Sequence, residues 1–378
     1  MPICKLYVPV VAHRMSAGIS TRKDDHIVLS VKEDVSSRLS TLLEDVILVH
    51  NTIPACSLGE VDVSAEFLGE SVNAPVMISG MTGGSALAEK INAALATVAQ
   101  RLGIPIGVGS QRAALEDKSL ARTFSVVREV APDVPVVANI GASQVVQGLS
   151  QAQILELVEM VGANALAIHL NPLQEALQPE GEPSARGFLD RLRELVKQSP
   201  VPVILKQTGE GFSKEAAALV GGTGVRGIDV GGAGGTSFAV IEGLRARLRG
   251  LDDLEEMSRT FSAWGVPTAA SILEVRAVLP DIFLIASGGL RNGVEVAKAL
   301  RLGADFAGFA RPVLQALYQG GVEAAERYVR RVISELRVSI FLTGGCSLKD
   351  LRSAPVVLKG LLREWVTQRG LTCPGAGL

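Results

Sequence analysis

Short runs of apolar residues recur along the chain, and each one ends in glycine or a small polar residue. The eight runs occupy residues 75–79, 105–109, 135–139, 165–169, 202–206, 227–230, 283–286 and 305–309. Between most of them lies a segment whose apolar positions recur with helical periodicity, as in 86–102, 120–130, 151–161 and 188–197. Continuous apolar strands that alternate with amphipathic helices are typical of parallel strands covered by helices. The pattern therefore predicts an α/β fold, a (β/α)8 TIM barrel.

Two parts of the chain depart from this alternation. The interval between residues 230 and 283 has room for extra helices, at 239–249 and 255–264, before a helix that begins near 271. We interpret it as a helical insertion after strand 6, on the face of the barrel where active sites form. The more polar start of the chain predicts an N-terminal extension (1–70) that contributes to the active site, followed by a barrel with C-terminal helices (71–378). The charged run 22–26 in the extension is expected to be exposed.

Composition excludes several classes of protein. Hydrophobic residues make up 47% of the chain and charged residues 20%, so a disordered chain is excluded. The net charge of -2 and the aromatic content of 4% provide neither a global positive field nor stacking platforms for nucleic acid. The sequence contains no run of about 18 apolar residues, the length needed to cross a membrane. The apolar patch at 7–12 is too short for a signal peptide. We expect a soluble, cytoplasmic protein with no nucleic-acid or membrane partner.

The four cysteines lie far apart and form no Cys-x-x-Cys pair. They are Cys4, Cys56, Cys346 and Cys373. This spacing indicates neither a zinc site nor a disulfide framework, and it favours a reduced, intracellular protein.

Polar, cationic and glycine residues follow the predicted strands, whereas the opposite strand ends are mostly proline and apolar residues. These segments are 79–84, 109–112, 139–141, 169–171, 206–209, 231–236, 287–291 and 310–311. In a barrel they form one rim, which carries the active site. A single glycine pair indicates no more than a tight turn, but glycines at several strand ends together favour a phosphate-bearing cofactor. The segments 287–291 and 310–311 lie where such barrels usually bind phosphate.

Several side chains at this rim are candidates for chemistry. Lys206 could be a Schiff-base nucleophile, a partner for a cofactor anion or a solvated lysine. His169 could be an ordinary strand-end histidine, but Asn171, Gln174 and Glu175 follow it closely. A carboxylate beside amide groups suits a Mg²⁺ ion that also binds a ligand phosphate.

Cationic side chains could bind the same phosphate. Arg22, Lys23 and Arg112 would make charge-assisted contacts to it. The alternative for Arg22 and Lys23 is a solvated run of charges.

Several of these segments resemble the type 2 isopentenyl-diphosphate isomerases. The similarity is carried by 21–27 (Thr-Arg-Lys-Asp-Asp-His-Ile), 169–175 (His-Leu-Asn-Pro-Leu-Gln-Glu), 81–84, 109–112, 234–236, 264–269, 286–291 and 342–344. It extends over residues 21–370, and the first two segments are more specific than the glycine loops, which many FMN barrels share. Two positions depart from the family, which usually has Glu at the position of Gln207 and often Ser or Thr at that of Gly231.

The resemblance implies an enzyme of isoprenoid biosynthesis that interconverts isopentenyl and dimethylallyl diphosphate. It implies reduced FMN, with NADPH or another reductant, and Mg²⁺ bound by Glu175. The FMN contacts it implies are Met81, Thr82, Gly83, Ser110, Asn139, Lys206, Thr236, Gly289, Leu290, Arg291, Ala310 and Arg311. The substrate contacts it implies are Arg22, Lys23, Ser110, Gln111, Arg112 and Gln174. Catalytic roles fall to His169, Asn171 and Gln174, and the family implies a homotetramer or homo-octamer.

The reaction adds a proton to an unactivated alkene carbon and removes another proton two carbons away. The resemblance assigns both transfers to the ring of reduced FMN, with no net redox change. An FMN-dependent 2-hydroxy-acid oxidoreductase is one alternative, but it needs a His and an Arg after strand 6, and segment 231–236 contains neither. A Schiff-base aldolase that uses Lys206 is the second alternative, and it would not explain the glycine-rich rim. A non-catalytic binding protein would not explain the convergence of polar groups.

Overall fold

The structure, a computed structural model, describes residues 19–374, with side chains from residue 22 onward. Residues 1–18, which include Cys4 and the patch 7–12, and residues 375–378 lie outside this range. The strands are β1 Val46–Leu48, β2 Ala65–Phe67, β3 Glu70–Val72, β4 Val76–Ile78, β5 Ile106–Gly107, β6 Val136–Gly141, β7 Ala165–Leu170, β8 Val203–Gln207, β9 Gly227–Asp229, β10 Phe283–Ser287, β11 Phe306–Phe309 and β12 Val356–Leu358. The helices are α1 Ile19–Lys32, α2 Ala86–Leu102, α3 Arg112–Glu116, α4 Arg122–Val130, α5 Ala142–Gln147, α6 Gln151–Met160, α7 Pro172–Leu177, α8 Phe188–Gln198, α9 Lys214–Val220, α10 Phe238–Leu248, α11 Asp252–Thr260, α12 Thr268–Val278, α13 Gly293–Arg301, α14 Arg311–Leu342, α15 Leu348–Ser353 and α16 Gly360–Arg369.

The parallel strands β4 to β11 close into a barrel in chain order, and β11 pairs with β4. Each strand falls at one of the apolar runs, because a strand covered on both sides needs apolar side chains at nearly every position. Helix α2 is an example of the helices that surround the barrel, because Ile91, Leu95 and Val98 on one of its faces are buried. These observations confirm the predicted (β/α)8 barrel.

Aromatic side chains close the amino-terminal end of the barrel. Phe67, at the end of β2 in the β2–β3 hairpin, is fully buried. Its ring meets those of Phe283 and Phe306 edge to face, with centroids 5.3 and 5.2 Å apart. This end is packed, so the barrel opens to ligands at the carboxyl ends of its strands.

The helices α10 and α11 follow β9, the sixth barrel strand, and precede α12, the helix that leads to the next barrel strand, β10. They confirm the helical insertion after the sixth barrel strand. The helices pack on α7 and α1, so the insertion forms one wall above the strand ends.

The expectation that the charged run 22–26 is exposed is wrong. These residues form the first half of α1, which buries Ile27 and Leu29. Two of these side chains are held by distant parts of the chain: Asp24 Oδ1 accepts a hydrogen bond of 2.6 Å from Ser85, and His26 Nε2 lies 2.9 Å from Glu242. The helix therefore lies across the mouth of the barrel.

The expectation that no cysteines pair is also wrong, because Cys56 and Cys346 form a disulfide. They are 290 residues apart in sequence, but two contacts bring their segments together: β1 pairs antiparallel with β12, and the backbone N–H of Asn51 donates to the Leu342 carbonyl. The segment after β1 therefore runs beside the end of α14, which the spacing of cysteines along the sequence cannot show. Among the described residues, Cys373 is a free and buried thiol.

The division into a 1–70 extension and a 71–378 barrel remains a prediction. Within residues 19–374, no helix is both long and apolar enough to cross a bilayer.

Candidate active site

A cavity of about 520 Å³ lies at the carboxyl ends of the strands, beneath α1. Its volume is within the range of small-molecule and cofactor sites. Among the predicted site residues, those that line it are Arg22, Lys23, Met81, Ser110, Arg112, Asn139, His169, Asn171, Gln174, Glu175, Lys206, Thr236, Gly289, Leu290, Arg291, Ala310 and Arg311. Residues separated by up to 289 positions in sequence thus share one cavity.

Three predicted residues do not line this cavity. Thr82 and Gly83 lie behind its wall, where a Cβ at Gly83 would collide with the ring of Phe124. Gln111 is fully buried; its Nε2 donates to the Leu157 carbonyl at 2.9 Å, and its Oε1 accepts from the backbone N–H of Asn139 at 2.9 Å. The Gln111 side chain therefore supports β6 and α6 and does not point into the cavity.

The loops after β10 and β11 form a cradle of backbone at one end of the cavity. Gly288 and Gly289 have φ values of +99° and +86°, which favour glycine. A Cβ at Gly288 or Gly289 would also collide with the backbone of segment 232–234, so two glycine loops are in direct contact. Helices α13 and α14 begin at these loops, and helix N-termini present free N–H groups to anions. The cradle fits a phosphate group such as that of FMN.

The side chain of Arg311 is hydrogen-bonded to the end of α1 and the segment that follows it. Its guanidinium donates to the carbonyls of Ser30 and Glu33, at 2.8 Å each, and to Ser36 Oγ at 3.1 Å. It therefore fastens the end of α1 to the start of α14.

Lys206, at the end of β8, lies on the floor of the cavity. Its Nζ is 3.0 Å from Oδ2 of Asp229 on β9 and donates to the Gln207 carbonyl at 3.2 Å. Ser79, at the end of β4, also lines the cavity, and its buried hydroxyl has no hydrogen-bond partner among the described residues. An unpartnered hydroxyl and an ammonium that line the same cavity are consistent with a polar ligand there.

His169 faces the cavity beside these groups. Its Nδ1 lies 2.9 Å from Oδ1 of Asn139, which can only accept a hydrogen bond. Burial, with the positive charges of Lys206 and Lys23, lowers the pKa of His169 to about 4. At neutral pH the ring is therefore uncharged and donates from Nδ1.

Helix α7 carries Gln174 and Glu175, and hydrogen bonds hold both side chains in place. Gln174 Oε1 accepts from Asn171 at 3.1 Å, and its Nε2 donates to Glu242 at 3.1 Å. Glu175 accepts from Asn171 at 3.0 Å, and from the Gln178 amide and the Glu182 N–H at 2.9 Å each. These bonds fix both side chains of the Gln-Glu pair at the cavity wall.

Sequence reasoning missed Glu242, which lies on α10 and is fully buried. It accepts from Gln174 and His26 and forms an ion pair with the buried Arg245. Although burial opposes ionisation, the bonds from His26 and the charge of Arg245 lower the pKa of Glu242 to about 2. The sequence signal for this buried ion pair is the spacing of Glu242 and Arg245, three residues apart in a predicted helix. Such a pair is equally common on an exposed helix surface, so it does not indicate a functional residue.

Lys23 and Arg22 approach the cavity from α1. Lys23 Nζ donates to the Ser110 carbonyl at 2.8 Å and lies 5.2 Å from the centre of the Phe124 ring. Burial, together with the charges of Arg22 and Arg112, lowers the pKa of Lys23 to about 7. Arg112 forms an ion pair with Glu116 at 2.7 Å. The cationic cluster of Arg22, Lys23 and Arg112 is suited to a multiply charged anion.

The two departures from the family pattern are in contact with each other. Gly231 has a φ of +46°, and a Cβ there would collide with the carbonyl of Gln207. The Gln207 side chain accepts from the Gly209 and Glu210 N–H groups at 2.6 and 2.7 Å and donates to Glu210 at 2.6 Å. Glycine at 231 is therefore required by how closely these two loops approach.

Comparison with known proteins extends this picture. The model of the family described as FMN-dependent dehydrogenase matches residues 128–358. Among solved structures, a flavocytochrome b2 variant with bound sulfite has a TM-score of 0.64 and 17% identity, over 88% of this chain and 83% of that chain. A mandelate oxidase variant has a TM-score of 0.62 and 17% identity, over 89% and 91%. At these identities the structures support the fold alone.

Proteins named isopentenyl-diphosphate delta-isomerase are far more similar in sequence. That of Metallosphaera sedula is 46% identical over 356 residues, which is 94% of this chain and 97% of its own length. That of Aeropyrum pernix is also 46% identical, over 94% and 95%. Identity at this level over nearly the whole of both chains confirms the resemblance carried by the motifs, and the chain belongs to the isopentenyl-diphosphate delta-isomerase family.

Proposed function

We propose that this chain interconverts isopentenyl and dimethylallyl diphosphate in the cavity beneath α1. Membership of the isomerase family supports the reaction. The observation that carries the assignment is the presence of two anion-binding groups in one cavity. The glycine cradle after β10 and β11 suits a cofactor phosphate, and the cationic cluster suits the substrate diphosphate.

The chain is an FMN enzyme by family, and we propose the residues that hold the cofactor. The cradle at Gly289, Leu290 and Arg291, with the helix start at Ala310 and Arg311, would bind the phosphate. Lys206, Met81, Ser110, Asn139 and Thr236 would line the ring. When bound, reduced FMN supplies a ring nitrogen that exchanges a proton with the substrate, with no net change of redox state.

The protein itself contributes orientation and shielding. Arg22, Lys23 and Arg112 would clamp the diphosphate, which fixes the alkene relative to the cofactor. Gln174 is held by Asn171 and Glu242, so its amide would present one orientation to the substrate. The uncharged ring of His169 offers no acidic proton at neutral pH, so its proposed role is to orient neighbouring groups and the cofactor.

We propose that Glu175 binds Mg²⁺ together with the substrate diphosphate. Three hydrogen bonds reach its carboxylate, which has about four acceptor positions, so one remains for a metal ion. The described residues contain no cluster of three or more His, Cys, Asp or Glu side chains that could hold a metal ion. Mg²⁺ is often held by one or two carboxylates plus substrate phosphates, so a single carboxylate fits it.

The two alternative reactions have less support. A 2-hydroxy-acid oxidoreductase needs a His and an Arg that segment 231–236 lacks. A Schiff-base aldolase needs an uncharged lysine, but Lys206 is paired with Asp229 at 3.0 Å.

The decisive experiment is turnover of isopentenyl diphosphate with reduced FMN and Mg²⁺ in D₂O. We expect deuterium in the dimethylallyl product and no consumption of reductant per turnover. Loss of one reductant equivalent for each product would refute the isomerase mechanism and favour the oxidoreductase. A covalent adduct at Lys206, trapped by borohydride with a carbonyl substrate, would favour the aldolase.

We further propose NADPH or another reductant as the source of electrons for FMN, a cytoplasmic location, and a homotetramer or homo-octamer. Exposed apolar side chains on the two-stranded β1–β12 sheet support the proposal that the chain forms an oligomer. Ile47 and Val357 are paired neighbours and are 44% and 50% exposed.

A further inference from the structure

The barrel interior contains a buried acid that the reaction does not directly need. Asp229 lies on β9 opposite Lys206 on β8, in the register of the sheet, and is 2% exposed. It does not line the main cavity, but it borders a separate space of about 20 Å³ beneath that cavity, as Lys206 also does. The carboxylate therefore lies deeper in the barrel than the ammonium it meets.

Several donors fix the Asp229 carboxylate. Oδ1 accepts from the Ser287 hydroxyl and from the Gly231 N–H at 3.3 Å, and Oδ2 lies 3.0 Å from Lys206 Nζ. A carboxylate held by β8, β10 and the loop after β9 has little freedom to move. The position of the Lys206 ammonium is therefore determined by a partner anchored on its neighbours.

We propose that Asp229 is a positioning residue that holds Lys206 as a cation at the floor of the cavity, directed toward FMN. This inference rests on the proposed FMN contact of Lys206. A buried ammonium without a paired charge loses its proton more readily, because burial disfavours the charged form. The titratable groups that face Lys206 from the adjacent strands are His169 on β7 and Asp229 on β9. Since His169 is uncharged above pH 5, Asp229 is the group that compensates the charge of Lys206.

The test is the affinity of the apoprotein for oxidised FMN, measured by flavin fluorescence between pH 6 and 9. For each variant we compare its Kd with that of the wild type at the same pH, so that ionisation of FMN itself cancels. For Asp229→Asn we expect a Kd ratio that is lowest at pH 6 and rises about tenfold or more by pH 9. Ser287→Ala is the matched control: it removes one donor to Asp229 but no charge, and its ratio should not vary with pH.

A ratio for Asp229→Asn that is raised equally at every pH, or that stays near one throughout, would overturn the proposal. Should Asp229→Asn fold poorly because it leaves the Lys206 ammonium unpaired, the double variant Lys206→Met/Asp229→Asn, which carries neither charge, provides the second test. The Kd of Lys206→Met should be raised at all pH values, and the double variant should have the same Kd, since the two residues act together. An additive effect would contradict the proposal. FMN binding needs no turnover, so a wild type that binds FMN without isomerising the substrate would refute the proposed function alone.

Discussion

Gln174 and Glu242 are joined by a 3.1 Å hydrogen bond in which the amide of Gln174 donates to a fully buried carboxylate. Asn171 donates to the other end of the same amide. The side-chain orientation of Gln174 at the cavity wall is therefore set by one donor and one acceptor. A change at Glu242 should reach the substrate through Gln174, without touching the residues proposed to hold FMN.

We predict that Glu242→Gln lowers kcat by about 10–100-fold, the range known for groups that orient metal ligands, because Gln174 loses the acceptor that fixes its amide. FMN affinity should change by less than about threefold. Glu180→Gln is the matched control, because Glu180 pairs with Arg245 and Arg249 farther from the cavity. Equal losses of kcat in the two variants would indicate a general effect on packing and would contradict the prediction. Thermal melting of both proteins shows whether a loss of kcat is accompanied by a loss of stability.

The sequence pattern predicted the barrel because its strands must be apolar along their whole length, and that requirement is local. The helix α1 was not recognised, because five charged or ionisable residues in a row normally remain in solvent. Here Asp24 and His26 find partners 61 and 216 residues away. Glu242 was missed for the same reason, since its bond to Gln174 spans 68 residues. Motifs can identify residues that face a ligand, but the buried charges behind them become visible only in three dimensions.

Glu175→Gln should increase the Mg²⁺ concentration needed for half-maximal activity by about tenfold or more, because an amide oxygen replaces a charged ligand. FMN binding should be unchanged. Glu182→Gln, at an exposed carboxylate nearby that does not line the cavity, is the control. The measurement is initial rate against Mg²⁺ concentration. A Mg²⁺ dependence of Glu175→Gln that matches the wild type would remove Glu175 from the metal site.

The lowered pKa of Lys23, about 7, makes substrate binding depend on pH. Below pH 7 Lys23 is already protonated and can bind the diphosphate. Above pH 7 the free enzyme must first take up a proton, so KM should rise by up to about tenfold per pH unit. At saturating substrate, kcat should not show this dependence.

Lys23→Arg is the matched variant, because arginine stays charged throughout this range. Its KM should remain flat where that of the wild type rises. The same rise of KM in both proteins would assign the effect to another group.

The disulfide between Cys56 and Cys346 should stabilise the fold, because it closes a loop of 290 residues in the unfolded chain. We expect Cys56→Ser/Cys346→Ser to lower the free energy of unfolding by about 2–4 kcal/mol. For a chain of this length that corresponds to a fall in melting temperature of roughly 3–5 °C. Neither cysteine lines the active-site cavity, so activity at moderate temperature should be unchanged.

Calorimetry of the wild type with and without a reductant, beside the double serine variant, checks this expectation. Reduction should lower the melting temperature of the wild type toward that of the variant and leave the variant unaffected. If the reduced and oxidised wild-type proteins melt together, the bond does not stabilise the fold. The pairing of β1 with β12 and the packing of α14 would then hold these segments together without it.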